Sequence, residues 1–126
     1  MDLGIRNLLP RFFPDELLQT GYSLEKYGCA EVAWWYEDAL QVTHLFAEHN
    51  YAILGGDVWT KARGQFVSIG DNWYLNQDEL EWERYVLESK MKTLSYIENY
   101  HQRNGPEYYY VLVAGGENWK QEIHLR

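Results

Sequence analysis

The stretch Glu107-Tyr108-Tyr109-Tyr110-Val111-Leu112-Val113-Ala114 decides the fold class of this 126-residue chain. Aromatic and β-branched residues dominate it, and this composition is typical of a β-strand. Its middle is apolar on both faces, as expected of a strand in the interior of a sheet. The tripeptide Asn104-Gly105-Pro106 precedes it and ends the element before it. We therefore predict a central strand around which the rest of the chain is arranged.

Two helices are predicted upstream of this strand. The longer one starts at Gln77-Asp78-Glu79 and continues to about Arg103, with acids in its first turn that suit the helix dipole. The shorter one runs from Glu37-Asp38 to about His49, with Asn50 as a left-handed stop. Two apolar stripes cover a wide face of the longer helix. One stripe is Trp82, Val86, Ser89, Thr93, Tyr96, Ile97 and Tyr100, and the other is Leu80, Leu87, Met91 and Leu94.

Further strands are predicted at 31–35, 51–59 and 65–75, with a short edge strand near Glu122 to Leu125. Gly55-Gly56 inside the second of these indicates a bulge or a close backbone approach. Lys61 to Gly64 resembles a hairpin loop, and Asp15 to Gln19 one helical turn. The order β-α-β-β-α-β predicts an α+β fold in which one mixed or antiparallel sheet of about four or five strands packs against two main helices.

The bulk properties predict one domain over residues 1–126 in a reducing compartment. A chain of this length matches the commonest domain size. The single cysteine, Cys29, excludes an intrachain disulfide and fits the cytosol. The first residues lack the pattern of a signal peptide, and no apolar run approaches the ~20 residues that span a bilayer. We therefore expect a cytoplasmic protein without membrane association.

Charge and aromatic content point to a protein partner. The formal net charge is −8, which disfavours nucleic acid because that binding depends on Lys and Arg contacts to phosphates. An acidic surface instead speeds encounter with a basic partner. Six Trp and eleven Tyr are too many for a disordered segment, and partly exposed rings commonly anchor binding surfaces.

No catalytic, cofactor or metal motif has the required spacing. His44 and His49 are five residues apart, whereas two helical metal ligands need a separation of three or four. Cys29 lies outside any nucleophile signature and reads as a small buried hydrophobe. Gly55-Gly56 and Gly115-Gly116 lack the spacing of a phosphate-binding loop. We therefore expect no enzyme activity, no cofactor and no metal.

The segment from Asp71 to Glu88 concentrates the acidic charge, with six acids against one base and with aromatic residues between them. One interpretation is a solvated helix N-terminus whose other side is in the core. The other is an acidic, aromatic patch that faces a basic partner. Asp57 and Asp71 also leave open a carbohydrate-binding or small hydrolytic domain, because a glycosidase needs two carboxyls across the sugar. A subunit of a larger assembly is a third hypothesis.

Three stretches match a known family in their order and spacing. They are Tyr51-Ala52-Ile53-Leu54-Gly55-Gly56-Asp57-Val58-Trp59, then Asp71-Asn72-Trp73-Tyr74, then Ser95-Tyr96-Ile97-Glu98-Asn99-Tyr100 with the strand Tyr108 to Val113. Over roughly residues 31–113 the chain resembles the immunity protein 40 family of bacterial polymorphic toxin systems. The resemblance implies a small cytosolic α+β protein without catalytic activity that binds and neutralises a cognate secreted toxin. Trp59 departs from the family, which has Tyr at that position.

The partner-binding residues are predicted from their chemistry rather than from the resemblance. Acids would meet Lys and Arg of the toxin or stand in for an anionic substrate, and tryptophans would fill pockets. For Asp57 an alternative stays open, in which it caps backbone amides at a bulge as a determinant of the fold. The predicted contact residues are Asp57, Trp59, Asp71, Trp73, Glu79, Glu81 and Glu83.

Overall fold

A five-stranded antiparallel sheet forms the centre of the protein. The computed structural model describes residues 3–124. The strands are β1 (Tyr22–Ser23), β2 (Val32–Trp35), β3 (Ala52–Ala62), β4 (Gln65–Tyr74) and β5 (Tyr108–Gly115). Their order across the sheet is β1-β2-β5-β3-β4, and every neighbouring pair is antiparallel. The predicted α+β class is confirmed, and the apolar strand β5 lies in the middle of the sheet as its composition indicated.

The two long helices pack against one face of this sheet. The helices are α1 (Asp15–Thr20), α2 (Tyr36–Glu48), α3 (Trp82–Asn104) and α4 (Trp119–His124), with 3₁₀ segments at Leu3–Leu8 and Glu25–Tyr27. The main core lies between α2, α3 and the sheet, where Val42, Ile97 and Tyr110 are fully buried. We call the opposite side of the sheet the outer face. The segment Leu24–Cys29 covers only part of it.

The turn chemistry of the sequence predicts the helix ends well. Asn50 adopts a left-handed backbone with φ 61° directly after α2 and its C-cap. Gly105 follows α3 with φ 90°, and Pro106 comes next, so the helix cannot continue. Helix α1 begins after Pro14 and ends before Gly21. The strand predicted at 31–35 also forms but starts one residue later, and the helix predicted from Glu37 to about His49 begins and ends one residue earlier.

The predicted start of the long helix is wrong by five residues. Residues 77–80 form a turn instead, in which the Leu80 amide donates to the Gln77 carbonyl at 3.0 Å. Asp78 has φ 51°, which no α-helix accommodates. Helix α3 therefore starts at Trp82, and of the acids near its N-terminus only Glu83 lies in its first turn.

The second apolar stripe predicted for this helix is less buried than the first, although Leu80 packs against a core cluster and Leu94 is partly buried. Leu87 and Met91 are 44% and 58% exposed, whereas Trp82, Val86 and Ile97 of the first stripe are buried. Helix α3 has the sheet and α2 on one side and nothing among the described residues on the other. A single stripe is therefore sufficient to hold it in place.

The tail and the hairpin also differ from their predictions. Residues 122–124, predicted as part of an edge strand, belong to helix α4, and Leu125 lies outside the described residues. The amide of Trp119 donates to the Gly116 carbonyl and so starts a helical turn right after β5. The hairpin between β3 and β4 is tighter than predicted. Only Arg63 and Gly64 form its turn, with φ 54° and 77°, which defines a two-residue type I′ connection.

Candidate functional site

Two of the sequence stretches that carry the family resemblance pair with each other in the sheet. Gly55, Gly56 and Asp57 of β3 lie opposite Tyr74, Trp73 and Asn72 of β4, respectively. The register slips between Asp57 and Trp59, and Gly70 next to this irregularity has φ 92°. A second slip between Ile53 and Gly55 confirms the bulge that the glycines indicated. The two motifs thus form one structural unit at the β3–β4 side of the sheet.

Positions 55 and 56 require glycine because neighbouring atoms occupy the space that a Cβ atom would need. A Cβ on Gly56 would lie 2.2 Å from the Val111 carbonyl oxygen and 2.3 Å from the Trp73 ring. A Cβ on Gly55 would lie 2.5 Å from the Trp73 carbonyl oxygen. Glycine is therefore required at both positions by close approach, as the sequence suggested.

Trp73 belongs to the core and not to the surface. Its side chain is 5% exposed, and its Nε1–H donates to the Thr93 hydroxyl of α3 at 3.0 Å. Its ring stacks on Tyr96 with centroids 4.6 Å apart. Trp73 therefore connects β4 to α3. Its ring is buried in the core of the protein and is not accessible to a pocket of a partner.

Trp59 lies on the outer face but is also covered. It is 7% exposed and clusters with Leu24, Phe66 and Tyr27 under the segment that crosses this face. Its Nε1–H donates to the Asp57 carboxylate at 3.0 Å. This hydrogen bond fixes the orientation of the Asp57 carboxylate. Asp57 is partly exposed, whereas Trp59 is buried. Asp57 thus accepts a side-chain N–H, whereas the alternative from the sequence had it capping backbone amides.

Asp57 and Glu31 line an open hollow on the outer face. The hollow has a volume of about 320 Å³ and is lined by Glu31, Leu54, Gly55, Gly56, Asp57 and Val113. Its shape follows from the register, because Gly55 pairs with Val113 and Asp57 pairs with Val111. Gly55 and Gly56 contribute no side chains to the hollow, and Val113 of β5, the strand between β2 and β3, lines it together with their backbone. Asp57 of β3 and Glu31, which directly precedes β2, therefore line the same hollow.

Both carboxyl groups are harder to ionise than usual. Partial burial raises the pKa of Glu31 above 4.5, and the nearby Asp57 carboxylate raises it further. Burial likewise raises the pKa of Asp57 above 3.8, although the hydrogen bond from Trp59 works in the opposite direction. Within residues 3–124 no Lys or Arg forms a salt bridge with either acid. A cation placed in the hollow would stabilise both ionised forms.

Glu31 is a site residue that the sequence analysis missed. The available signal was its position, because it precedes Ala33 and Trp35 at the spacing of two that puts strand residues on one face. The structure places Ala33 in the outer-face cluster, and Glu31 lines the hollow beside it. Its partner Asp57 is 26 residues away along the chain, so only the folded sheet brings them together.

Asp71 lies away from this hollow. Its carboxylate accepts a hydrogen bond from the Tyr100 hydroxyl of α3 at 2.8 Å, on the helix side of the sheet. Asp57 and Asp71 are therefore on opposite sides of the sheet and do not converge on one ligand. The arrangement of two carboxyls across a sugar ring, on which the carbohydrate hypothesis depends, is not present for this pair.

The three predicted glutamates stay together and stay exposed. Glu79 and Glu81 lie in the loop before α3, and Glu83 in its first turn. They are far from Asp71, because Glu83 and the Asp71 partner Tyr100 are separated along α3 by about 26 Å at 1.5 Å per residue. The acidic segment that looked continuous in the sequence is thus divided between the two ends of one helix.

His49, one of the two histidines considered for metal binding, is engaged in other contacts. His49 stacks on Phe12 with ring centroids 4.0 Å apart, and its Nδ1 lies 3.0 Å from the Leu45 carbonyl oxygen. Within the part of the chain that the structure describes, no three metal-ligating side chains come close enough to hold an ion. The helices of residues 3–124 include none with the length and apolar character needed to cross a membrane.

The antiparallel sheet and the helices packed on one of its faces define a small α+β protein. The family model described as Immunity protein 40 matches residues 23–114. The chain therefore belongs to the immunity protein 40 family, as the sequence resemblance indicated. The matched region includes β2 to β4, β5 except for its last residue, both long helices and both acids of the hollow. Neither a curated protein nor a solved structure shows a significant match to the chain.

Proposed function

We propose that this protein is an immunity protein that binds a cognate bacterial toxin and neutralises it. Membership of the immunity protein 40 family, over residues 23–114, is the observation that carries the proposal. A toxin inhibitor needs no catalytic machinery of its own, which agrees with a chain whose candidate catalytic motifs all lack the required spacing. We further propose that it acts in the cytoplasm of the cell that makes it.

The acidic character of the chain supports a basic surface on the toxin. A net charge of −8 would accelerate encounter with a positively charged partner. Glu79, Glu81 and Glu83 are exposed and lie within five residues of one another. Their side chains remain free to meet Lys or Arg, and exposed charges of this kind act mainly on the association rate.

The hollow on the outer face adds a more specific contact. Glu31 and Asp57 are partly desolvated before any partner arrives, so an incoming cation meets carboxylates that water screens incompletely. Tyr74, which is 64% exposed and lies opposite Gly55, is an accessible ring on the neighbouring strand. We assign to Tyr74 the anchoring role that the sequence had suggested for the buried Trp59 and Trp73.

The proposal is tested with the protein encoded by the neighbouring gene. Its C-terminal domain, made inactive by substitution, is titrated against this chain by calorimetry at low and at physiological salt. We expect nanomolar affinity that decreases as salt increases. Co-expression of the active domain with this chain should also restore growth. The absence of detectable binding at low salt would refute the proposal.

A charge-matched pair of variants tests the acidic surface. The first replaces Glu79, Glu81 and Glu83 with Lys, and we expect at least about tenfold weaker binding with a reduced association rate. The control replaces three exposed glutamates of α1 and α2 with Lys, so the net charge changes equally. These control positions are Glu16, Glu37 and Glu48. Equal loss in both variants would mean that only the overall charge matters.

A further inference from the structure

One lysine at the hairpin end of the sheet, where β3 turns into β4, is held by aromatic rings. Nζ of Lys61 lies 4.9 Å from the centroid of the Tyr22 ring and 5.0 Å from that of Phe66. The centroid of the Tyr109 ring is 5.7 Å away. All three distances fall within the ~6 Å at which a ring attracts a cation. In the part of the chain that the structure describes, Lys61 forms no salt bridge, so its charge is positioned but not neutralised.

The three rings pack against one another beneath this ammonium group. The centroid of the Tyr22 ring is 5.4 Å from that of Phe66 and 5.5 Å from that of Tyr109, and those of Phe66 and Tyr109 are 4.9 Å apart. Phe66 is buried in the outer-face cluster, and its amide donates to the Tyr27 hydroxyl at 3.0 Å. Lys61 itself is exposed, and Tyr22 is 41% exposed. A partner can therefore reach both the ammonium group and a ring that supports it.

Two further bases lie at the same end of the sheet. Nζ of Lys26 is 5.7 Å from the centroid of the Tyr27 ring, and the Tyr27 hydroxyl donates to the side chain of Gln65, which directly follows the turn. Arg63 lies in the turn itself. Within residues 3–124, none of these bases forms a salt bridge. The hairpin end thus carries unpaired positive charge in a chain whose net charge is −8.

The exposed acids before α3 lie at the opposite end of the same hairpin. The Leu75 amide donates to the Leu54 carbonyl near the start of β3 at 3.1 Å, and the loop that carries Glu79 and Glu81 follows. Along β3, Lys61 is about 23 Å from Leu54 at 3.3 Å per residue. A standard interface of about 800 Å² on each partner is roughly 30 Å across, so one partner surface can contact both ends.

We propose that Lys61 is a toxin-contact residue and receives an Asp or Glu carboxylate of the toxin. The inference rests on the proposed function and deepens it, because it adds a contact of opposite sign to the acidic one. The rings already restrict the lysine side chain, so binding orders it at a smaller entropic cost. Opposite charges at the two ends of the hairpin would fix the orientation of the toxin. A second copy of this chain fits less well, because each copy is strongly acidic.

The test removes the ammonium group and keeps an apolar stem over the rings. Lys61→Met makes this change, and Lys90→Met is the matched control, with the same loss of charge on α3 at the opposite side of the sheet. Thermal melting checks that both variants fold. Against the inactive C-terminal domain of the neighbouring gene product, we expect Lys61→Met to bind about tenfold more weakly and Lys90→Met to bind no more weakly than the unmodified chain.

Net charge alone predicts the reverse for Lys61→Met. Both variants are more acidic than the unmodified chain, so a toxin attracted only by overall charge should bind both of them slightly more tightly. Lys61→Met that binds as tightly as Lys90→Met would overturn the inference and leave the proposed function intact. No binding by the unmodified chain would refute both.

Charge reversal identifies the partner of Lys61. Lys61→Glu should bind at least about a hundredfold more weakly, and replacement of one acidic residue of the toxin domain with Lys should restore most of this loss. A toxin domain in which no single acidic residue restores binding would overturn the inference.

A last measurement requires no variant. Chemical acetylation of lysine amines, read by mass spectrometry, should slow at Lys61 when the toxin domain binds and should stay unchanged at Lys90. Equal acetylation of Lys61 in the free chain and in the complex would overturn the inference. Protection of Lys61 in the chain alone that increases with its concentration would assign this surface to a second copy and would also overturn it.

Discussion

Replacing Gly56 with alanine should destabilise the protein strongly, although the change adds one methyl group. The new Cβ would lie 2.2 Å from the Val111 carbonyl oxygen, about 1.2 Å short of the 3.4 Å at which ordinary contacts begin. Val111 belongs to β5, which is paired with β2 on one side and with β3 on the other. Its backbone cannot move away without breaking one of these ladders.

The size of the effect follows from two opposing contributions. Overpacking a filled site typically costs about 1–3 kcal/mol and sometimes more, and here the methyl group also meets the Trp73 ring at 2.3 Å. Alanine in place of glycine restricts the unfolded chain and returns about 0.4–1 kcal/mol. The steric contribution is larger because a backbone carbonyl and an indole ring are both in the way. We expect a net loss of about 2–3 kcal/mol and a decrease in melting temperature of about 10 °C.

Urea unfolding and thermal melting followed by circular dichroism measure this loss. Gly116→Ala is the matched control, because the atoms nearest to its added Cβ are those of the Tyr51 ring at 3.6 Å, an ordinary contact distance. We expect this control to be neutral or slightly stabilising. If Gly56→Ala melts within about 2 °C of the unmodified chain, the tight packing of β3 against β5 and Trp73 would be refuted.

Two further predictions concern buried polar groups. Thr93→Val leaves the buried Trp73 Nε1–H without its acceptor and should lower the free energy of unfolding in urea by about 1–3 kcal/mol. Thr93→Ser retains the hydroxyl and should lower it less. Equal losses would show that the methyl group of Thr93 matters more than the hydrogen bond. Burial raises the pKa of Glu31 and of Asp57 in the folded state, so the folded state holds protons that the unfolded state has already released. Their contribution to stability is therefore complete at low pH and is lost as the pH increases from about 4 through the raised pKa values. Glu31→Gln should be more stable than the unmodified chain at pH 7 and should lose this advantage near pH 4, and an advantage that does not change with pH would contradict the assignment.

The central strand could be predicted from its sequence because its signal is local. Residues 108–113 show no alternation of polar and apolar side chains, which is typical of a strand in the interior of a sheet. The stop signals at Asn50 and Gly105 are local in the same sense, since a left-handed backbone is set by the residue that adopts it. The start of α3 was missed because the acids at 78, 79 and 81 suit a helix N-terminus, yet Asp78 turns the chain instead.

The binding residues show the opposite case, in which neighbours in the sequence separate in space. Asp71 and Glu83 belong to one acidic segment, but α3 separates Glu83 by about 26 Å from Tyr100, the residue that donates to Asp71. Trp59 and Trp73 were expected as surface anchors because the chain has more large rings than its interior seemed able to bury. The core absorbs both of them, and their indole N–H groups find acceptors on Asp57 and Thr93.

The sequence by itself determined the α+β class, the positions of the main strands and helices, and the family, because each depends on local periodicity, turn residues and motif spacing. Only the tertiary structure decided which acids share a surface. Glu31 and Asp57 are brought together by the register of β2, β5 and β3, and Gly55 and Val113 line the hollow with them. Sheet order is set by which faces and edges bury the most apolar area once the chain collapses, and that sum over distant residues cannot be read from any one segment.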